Sequence, residues 1–267
     1  MARSKEEEAP RPPTVKGHEP VHVGIVSLFP TLINAFTATS VVGRAIAAEL
    51  LTVHVEDLRS HGVGKYKSVD DSPYGGGSGM VLRVDCVMSA IEAAEAALNA
   101  PVKPWRVLLT PQGRRFTQRL AEELQSHAAF VLVCGRYEGF DERVRGLVDL
   151  EISLGDFVMA GGEVAAMAIV EATARLVPGV LGNRASAQVE SFSSANRYLL
   201  EYPQFTRPLE YRGVSVPEVL RGGNHAEVDR WRADEALART RLRRPDLATG
   251  LEGGDKPPGR KGPGDSK

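Results

Sequence analysis

Residues 130–163, FVLVCGRYEGFDERVRGLVDLEISLGDFVMAGGE, decide the fold of this chain. The apolar, β-branched run Phe130–Cys134 predicts a strand buried on both faces, and a second strand is expected at about Leu147–Ser153. Each predicted strand leads into a glycine-rich loop, CGRYEG or LGDFVMAGGE, where the backbone can approach a ligand closely. Either loop alone is equally consistent with an ordinary strand-to-helix turn. Together they predict a small-molecule site at the carboxyl edge of an α/β sheet.

The sequence on the N-terminal side of this stretch alternates between predicted strands and helices. VHVGIVSLF, from Val21, and LTVHVEDL, from Leu51, are predicted strands with helical sequence between them at 31–49. An Ala-rich helix is predicted over 84–98, and WRVLLTPQGRRF is predicted to be a buried strand that ends in a Pro-Gln-Gly turn. This alternation predicts an α/β fold with a parallel sheet.

Two more helices are predicted near the glycine-rich loops. Thr117 is a candidate N-cap for a helix that reaches about Gln125. EVAAMAIVEATARLV, from Glu163, is a further helix that Pro178 ends. The side chains expected to face the sheet from this last helix are Val164, Met167, Ala168 and Ala172.

Composition excludes several classes of protein. The chain has 267 residues, 25% of them charged and 42% hydrophobic, with a formal net charge of −1, which is typical of globular proteins and not of disordered chains or fibres. Its two cysteines, Cys86 and Cys134, form neither a CxxC pair nor a zinc pattern. The N-terminus is not a signal peptide, and no apolar run approaches the roughly 20 residues that span a bilayer. We therefore expect a cytoplasmic protein without membrane association.

The segment 59–80, RSHGVGKYKSVDDSPYGGGSGM, has no regular period, and loops of this length inside compact domains tend to be functional or mobile. It matches neither GxxxxGK[ST] nor GxGxxG, which disfavours nucleotide-phosphate binding. Lys65, Lys67 and Arg83 could contact phosphates, although solvated surface residues are the commoner interpretation.

The C-terminal third has a different composition. Residues 181–202 are rich in Ser, Asn, Ala and Gly and predict an interdomain linker, whereas 203–248 predicts a separate, mainly helical domain in which Asn224 and Glu227 form a capping-box-like start. Residues 1–20 and 249–267 predict disordered tails. This domain has a local excess of positive charge, which predicts either a solvated basic face or phosphate binding. Its arginines between 221 and 244 are Arg221, Arg230, Arg232, Arg239, Arg241, Arg243 and Arg244, against the acids Glu227, Asp229, Asp234 and Glu235.

The chain contains, in this order, the segments PYGGGSGM, CGRYEG, GDFVMAGGE, PGVLGN and GNHAEVDRWR. Together these segments closely resemble those of the bacterial tRNA (guanine-37-N1)-methyltransferases of the SPOUT class. The resemblance extends from about Val21 to about Leu247. It implies a deep trefoil knot in the parallel-sheet domain, residues 21–180, followed by a small helical tRNA-binding domain. The pattern of residues alone would not predict the knot, because threaded chains are essentially absent among folds.

The resemblance also implies a function: transfer of a methyl group from S-adenosylmethionine to N1 of guanosine-37 in the anticodon loop of tRNA. It implies a homodimer whose active sites are shared between subunits. It further implies a dependence on Mg²⁺, and because the sequence has no dedicated carboxylate cluster, such an ion would arrive with the substrate. The implied donor-binding residues are Leu109, Thr110, Pro111, Gly135, Glu138, Leu154, Gly155, Asp156, Phe157, Val158, Met159, Gly161 and Gly162.

The resemblance implies two catalytic residues. N1 of guanine carries a proton, so a carboxylate is needed as general base, and a guanidinium would stabilise the charge that develops on O6. The family's arginine aligns with Arg175, whose spacing from Glu171 is also that of a simple i,i+4 ion pair. Where the family commonly has DSF, this chain has ESF, which makes Glu190 the expected base. Gln204 stands where relatives often have His.

Two alternatives remain open at this point. The chain could be a tRNA-binding SPOUT module in which the change from Asp to Glu has weakened or removed catalysis. It could also be a knotted methyltransferase that acts on another RNA position, which the GNHAEVDRWR segment disfavours.

Overall fold

The computed structural model describes residues 19–181 and 190–249. The chain divides into two compact units, with the boundary between residues 184 and 185. The predicted tails fall mostly outside the described residues, as do residues 182–189 of the predicted linker.

The first unit is built on a five-stranded parallel sheet with the strand order β2-β1-β6-β5-β7. Its strands are β1 (Val21–Ser27), β2 (Leu51–Asp57), β5 (Trp105–Arg115), β6 (Ala129–Cys134) and β7 (Leu150–Ser153). A short antiparallel pair, β3 (Asp70–Asp71) and β4 (Val81–Leu82), lies within the long irregular segment. The parallel sheet confirms the α/β prediction.

Helices cover both faces of this sheet: α1 (Pro30–Thr37), α2 (Ser40–Ala47), α3 (Val84–Leu98), α4 (Gln118–His127) and α5 (Glu163–Ala174). Because side chains alternate along a strand, β6 contributes to two apolar layers. Its Phe130 and Leu132 pack with α2, α4 and α5, whereas Val131 and Val133 pack with α3. Every residue of β6 is buried, as its apolar sequence predicted.

Several predicted boundaries are confirmed, and others are corrected. α3 spans the predicted residues, and Thr117 caps α4 by accepting a hydrogen bond from the Leu120 N–H at 3.4 Å. The strand predicted from Leu147 begins only at Leu150, because a short 3-10 helix occupies Glu142–Leu147.

The Pro-Gln-Gly turn does not end β5, which continues to Arg115. Leu109 and Arg114 both pair with Ile152, so the intervening residues form an irregularity inside the strand. A Cβ atom on Gly113 would lie 2.5 Å from backbone atoms of β7. Because the two backbones approach so closely, only glycine fits at position 113 if β5 is to continue its pairing with β7.

The predicted inner face of α5 is wrong at Val164 and Ala168, whereas Met167 packs against the core as predicted and Ala172 is half-buried. Val164 is 53% exposed and Ala168 is also exposed. This helix is apolar on nearly all sides, so its periodicity does not indicate which side is buried. The buried residues are Glu163, Ala165, Ala166, Ile169, Val170, Thr173 and Ala174.

The second unit contains a hairpin of β8 (Glu210–Tyr211) and β9 (Val214–Ser215), then α6 (His225–Arg243) and α7 (Pro245–Ala248). Asn224 caps α6 as predicted, because its side chain accepts a hydrogen bond from the Glu227 N–H at 3.4 Å. The buried Thr240 of α6 accepts a hydrogen bond from the Leu200 N–H at 3.0 Å, which fixes the segment before the hairpin on this helix. No helix in the described parts of the chain has the length and apolar character needed to cross a membrane.

Candidate functional site

A cavity of about 380 Å³ lies at the carboxyl edge of the sheet in the first unit. Three segments form its walls: residues 109–112 of β5, residues 135–142 after β6, and residues 152–162 at the end of β7 and beyond. Because parallel strands end at one edge, the loops that follow them converge there. A cavity therefore lies where the two glycine-rich loops predicted a small-molecule site.

Twelve of the thirteen residues implied for donor binding line this cavity. The exception is Asp156, whose carboxylate is 92% exposed and lies 2.8 Å from a guanidinium nitrogen of Arg115. The twelve are Leu109, Thr110, Pro111, Gly135, Glu138, Leu154, Gly155, Phe157, Val158, Met159, Gly161 and Gly162.

The two glycine-rich loops contact each other directly through their backbones. The Gly162 N–H donates a hydrogen bond to the Gly135 carbonyl oxygen at 2.9 Å, and Arg136 pairs with Gly161 in an isolated antiparallel bridge. A Cβ atom on Gly162 would lie 2.8 Å from the Cα atom of Cys134, which leaves no room for a side chain. Glycine is needed at this position because the backbone approaches so closely.

The end of the segment 73–80 contacts Glu138, which is one of the residues that line the cavity. The Glu138 N–H donates a hydrogen bond to the Met80 carbonyl oxygen at 2.9 Å, and Gly79 leaves space for the Glu138 carboxylate. Arg83, considered above for phosphate contact, forms ion pairs with Asp85 at 2.7 Å and Asp71 at 3.3 Å. The long irregular segment thus supports the loop after β6.

A buried polar network behind the cavity was missed by the sequence analysis. The Glu163 side chain is 2% exposed and accepts hydrogen bonds from Ser27 Oγ at 3.0 Å and from Arg136 Nε at 3.2 Å. The Arg136 guanidinium carbon also lies 4.3 Å from the ring centroid of Phe29. The sequence signal that could have revealed it is a carboxylate at the first position of a helix whose only other charged residue is Glu171.

A second set of polar side chains lines the cavity itself. Arg145 donates hydrogen bonds to Glu142, at 2.9 Å, and to Glu151 and Gln112. Cys134 lies behind the wall, where complete burial raises the pKa of its thiol well above the ordinary value. Because a thiol must ionise to act as a nucleophile, Cys134 is a packing residue.

The two predicted catalytic residues belong to different units. Arg175 directly follows α5, is half-buried, and has a backbone N–H that donates to the Glu171 carbonyl oxygen at 3.1 Å. Glu190 is half-buried in the second unit, where its carbonyl oxygen accepts a hydrogen bond from the Ser193 N–H at 3.2 Å. Across residues 19–181 and 190–249, no three His, Cys, Asp or Glu side chains are grouped so that they could hold a metal ion.

The second unit presents arginine and aromatic side chains together. The Arg232 guanidinium lies 4.8 Å from the ring centroid of Tyr202, and Phe205 and Trp231 have ring centroids 6.4 Å apart. Arg230 and Arg241 are exposed on α6. Such a surface can attract phosphates and provide faces for stacking of bases.

Comparison with known proteins gives consistent results. A family profile described as tRNA (Guanine-1)-methyltransferase TrmD matches residues 21–250. The chain is 53% identical to a protein of Sorangium cellulosum, over 89% of this chain and 97% of the relative. It is 55% identical to one of Deinococcus radiodurans, over 84% and 79%, and 50% identical to one of Thermus thermophilus, over 84% and 90%. All three relatives are named tRNA (guanine-N(1)-)-methyltransferase.

Proposed function

The chain belongs to the tRNA (guanine-1)-methyltransferase family, and from this membership we propose that it methylates N1 of guanosine-37 in the anticodon loop of tRNA, with S-adenosylmethionine as methyl donor. The structural observation that carries the proposal is the cavity at the sheet edge, which three loops form and twelve of the implied donor-binding residues line. An anticodon loop is a suitable substrate because its bases are already single-stranded and can be turned out of the stack.

The residues around the cavity fit the proposed donor. Its volume of about 380 Å³ lies within the usual range of small-molecule pockets, about 300–1,000 Å³. Leu109, Ile152 and Leu154 supply apolar surface for a planar base, and the loop backbones supply hydrogen-bonding groups. Glu138 and Glu142 supply negative charge suited to a cationic ligand. When bound, S-adenosylmethionine would supply an electrophilic methyl group.

Proton removal from N1 of guanine is assigned to Glu190. The carboxylate accepts the N1 proton, so that the N1 electron pair becomes available to the methyl group. Arg175 places its positive charge toward O6, where negative charge develops as the proton leaves. The role of Glu190 rests on its place in the ESF segment, and that of Arg175 on its place after α5.

Several features implied by the family complete the proposal. The loops around the cavity are threaded as a trefoil knot, and two chains form a homodimer in which one subunit provides the donor site and the other provides Glu190 and the basic domain. Two apolar side chains that line the cavity are exposed in the single chain: Phe157 is 55% exposed and Val158 is 84% exposed. Exposed apolar side chains next to each other often mark a surface that another chain covers, which supports the proposed homodimer. We place the enzyme in the cytoplasm, with tRNA as its partner and any Mg²⁺ entering with the substrate.

The relatives' names favour an enzyme over the binding-module alternative, and a rate measurement decides between them. We would follow single-turnover transfer of labelled methyl groups to unmodified tRNA and map the product position. General-base catalysis contributes about 10²–10⁴-fold, so Glu190→Gln should slow transfer by at least about 100-fold, while Glu190→Asp should retain activity. The control is Glu218→Gln, an exposed carboxylate in the same unit.

Each result has a distinct meaning. Full activity of Glu190→Gln would remove Glu190 from the mechanism and leave the methyltransferase assignment intact. Binding of both substrates by the wild type without transfer would instead favour the binding module.

A further inference from the structure

We propose that Glu163 is a positioning residue of the donor site: together with Ser27 it holds Arg136, and so fixes the spacing between the two glycine-rich loops. The inference rests on the proposed function, because it assigns to this cavity the binding of S-adenosylmethionine. Glu163 itself lies behind the cavity and is not among the lining residues, whereas Arg136 is one of them.

The network is a closed ring of contacts that joins three segments. Ser27 Oγ accepts a hydrogen bond from the Phe29 N–H at 2.9 Å and donates one to Glu163 Oε1 at 3.0 Å. The other carboxylate oxygen of Glu163 lies 3.1 Å from Nη2 of Arg136, and the Arg136 guanidinium returns to the Phe29 ring at 4.3 Å. The end of β1, the loop after β6 and the start of α5 are therefore held together by side chains of fixed orientation.

Stability alone does not explain an ionic network in this place. The Glu163 side chain is 2% exposed and that of Arg136 is 24% exposed, so both charges lose much of their hydration on folding. Replacing a buried ion pair with apolar residues of similar volume is often neutral or stabilising. Unlike apolar residues, the ion pair supplies directional hydrogen bonds between two specific loops.

The ion pair spans the same two segments whose backbones line the cavity. Gly135, adjacent to Arg136, accepts the hydrogen bond from Gly162, which is adjacent to Glu163. A Cβ atom on Gly161 would lie 2.2 Å from Arg136 Nε and 2.5 Å from Glu163 Oε2, so the ion pair packs directly against the loop that leads to α5. Loss of the pair would let the two loops separate at the point where they meet.

Glu163→Gln tests the inference, because it preserves shape and an acceptor for Ser27 while removing the charge that holds Arg136. Calorimetric titration with S-adenosylmethionine alone, without tRNA, should show a Kd about tenfold or more above the wild type, as expected when a hydrogen bond to a charged group is lost. The Kd for tRNA should change less than about twofold, since phosphate binding is assigned to arginines of the second unit and these are unchanged. The matched control is Glu123→Gln, whose carboxylate pairs with Arg114 at 3.0 Å but is 43% exposed.

A double-mutant cycle separates positioning from mere support of the fold. If Glu163 acts through Arg136, then adding Glu163→Gln to Arg136→Met should change the Kd for the donor by less than about twofold. The added change should nevertheless raise the unfolding temperature, because it removes the unpaired buried carboxylate that Arg136→Met leaves behind. The Kd for the donor would then stay nearly the same while the unfolding temperature rises. A purely structural role of Glu163 does not predict this combination.

The outcomes are distinguishable. A wild type that fails to bind S-adenosylmethionine would overturn the proposed function and this inference with it. A wild type that binds, with an unchanged Kd in Glu163→Gln or with additive effects in the cycle, would overturn the inference alone. If Glu163→Gln does not fold, Ser27→Ala takes its place, because it removes one hydrogen bond from the ring and should weaken donor binding by roughly two- to tenfold, with an unchanged Kd contradicting the proposal.

Discussion

Glu163 and Arg136 carry their charges inside the first unit at a separation of 3.1 Å, whereas Arg230 and Arg241 carry theirs on the exposed surface of α6 in the second unit. A buried pair is screened much less by salt, and its charge-assisted hydrogen bonds hold the two side chains in a defined geometry. Exposed charges act over about 8 Å at physiological ionic strength and are screened by salt. If charge in the first unit sets geometry and charge in the second attracts a polyanion, then donor binding and tRNA binding should respond to different perturbations.

The largest effect is expected from Gly162→Ala, which changes the buried contact between the two glycine-rich loops of the first unit. Its new Cβ atom would meet the Cα atom of Cys134 at 2.8 Å and the Gly135 nitrogen at 3.0 Å, both of them backbone atoms that cannot rotate away. We expect donor binding to be lost and the free energy of unfolding to fall by about 1–3 kcal/mol. Titration calorimetry and denaturant unfolding measure the two.

Gly146→Ala is the control for this variant, because a Cβ atom at Gly146 meets no atom within 4 Å. Normal donor affinity in Gly162→Ala would show that the close approach of the two loops is not required for binding.

An intermediate effect is expected from the pair Arg230→Ala and Arg241→Ala. These residues are eleven positions apart, about three helical turns, so both lie on one side of α6. If each contacts a phosphate, the slope of log affinity for tRNA against log salt should become shallower by about 1–2. Donor affinity should be unaffected.

The charge-matched control for the arginine variants is Arg44→Ala, which removes an exposed arginine of α2 in the first unit. An equal change of the salt slope in that control would mean that tRNA responds to total charge and not to α6.

The smallest effect concerns an exposed ion pair in the first unit. A hydrogen bond from Arg143 lowers the pKa of Asp141 to about 2 from its ordinary 3.8. Because the folded pKa is the lower one, this pair stabilises the fold fully above pH 3.8, and the contribution disappears as the pH falls through 2. Arg143 is 69% exposed, so solvent screening keeps this contribution to stability small.

Asp141→Asn should therefore destabilise the protein slightly at pH 7, and the difference from the wild type should shrink as the pH falls below 3.8. Denaturant unfolding at pH 7 and at pH 3 measures it. A difference that grows toward low pH would contradict the assigned direction of the shift.

Local sequence signals predicted the elements that depend on local interactions. The apolar run of β6, the period of α3 and the caps at Thr117 and Asn224 were all found where expected. These features are governed by neighbouring residues, so a short window of sequence contains the relevant physics.

Features that depend on distant residues were missed. The contact between Arg136 and Glu163 joins residues 27 positions apart, and that between Ser27 and Glu163 joins residues 136 positions apart. The exposure of Val164 and Ala168 was also missed, because α5 is apolar on nearly all sides and its packing partners are distant in sequence. The donor-site residues were named from family resemblance, and periodicity indicated only that the glycine-rich loops would meet.

The position of β6 in the sheet has a consequence for synthesis on the ribosome. β1 can pair with β2 early, but its other edge pairs only with Ala129–Val133, so that edge stays open while the intervening residues are translated. Glu163 emerges 136 residues after Ser27, which corresponds to roughly 7–27 s at about 5–20 residues per second. The nascent chain thus carries an unpaired strand edge, a surface that chaperones bind, for several seconds before the donor pocket can close.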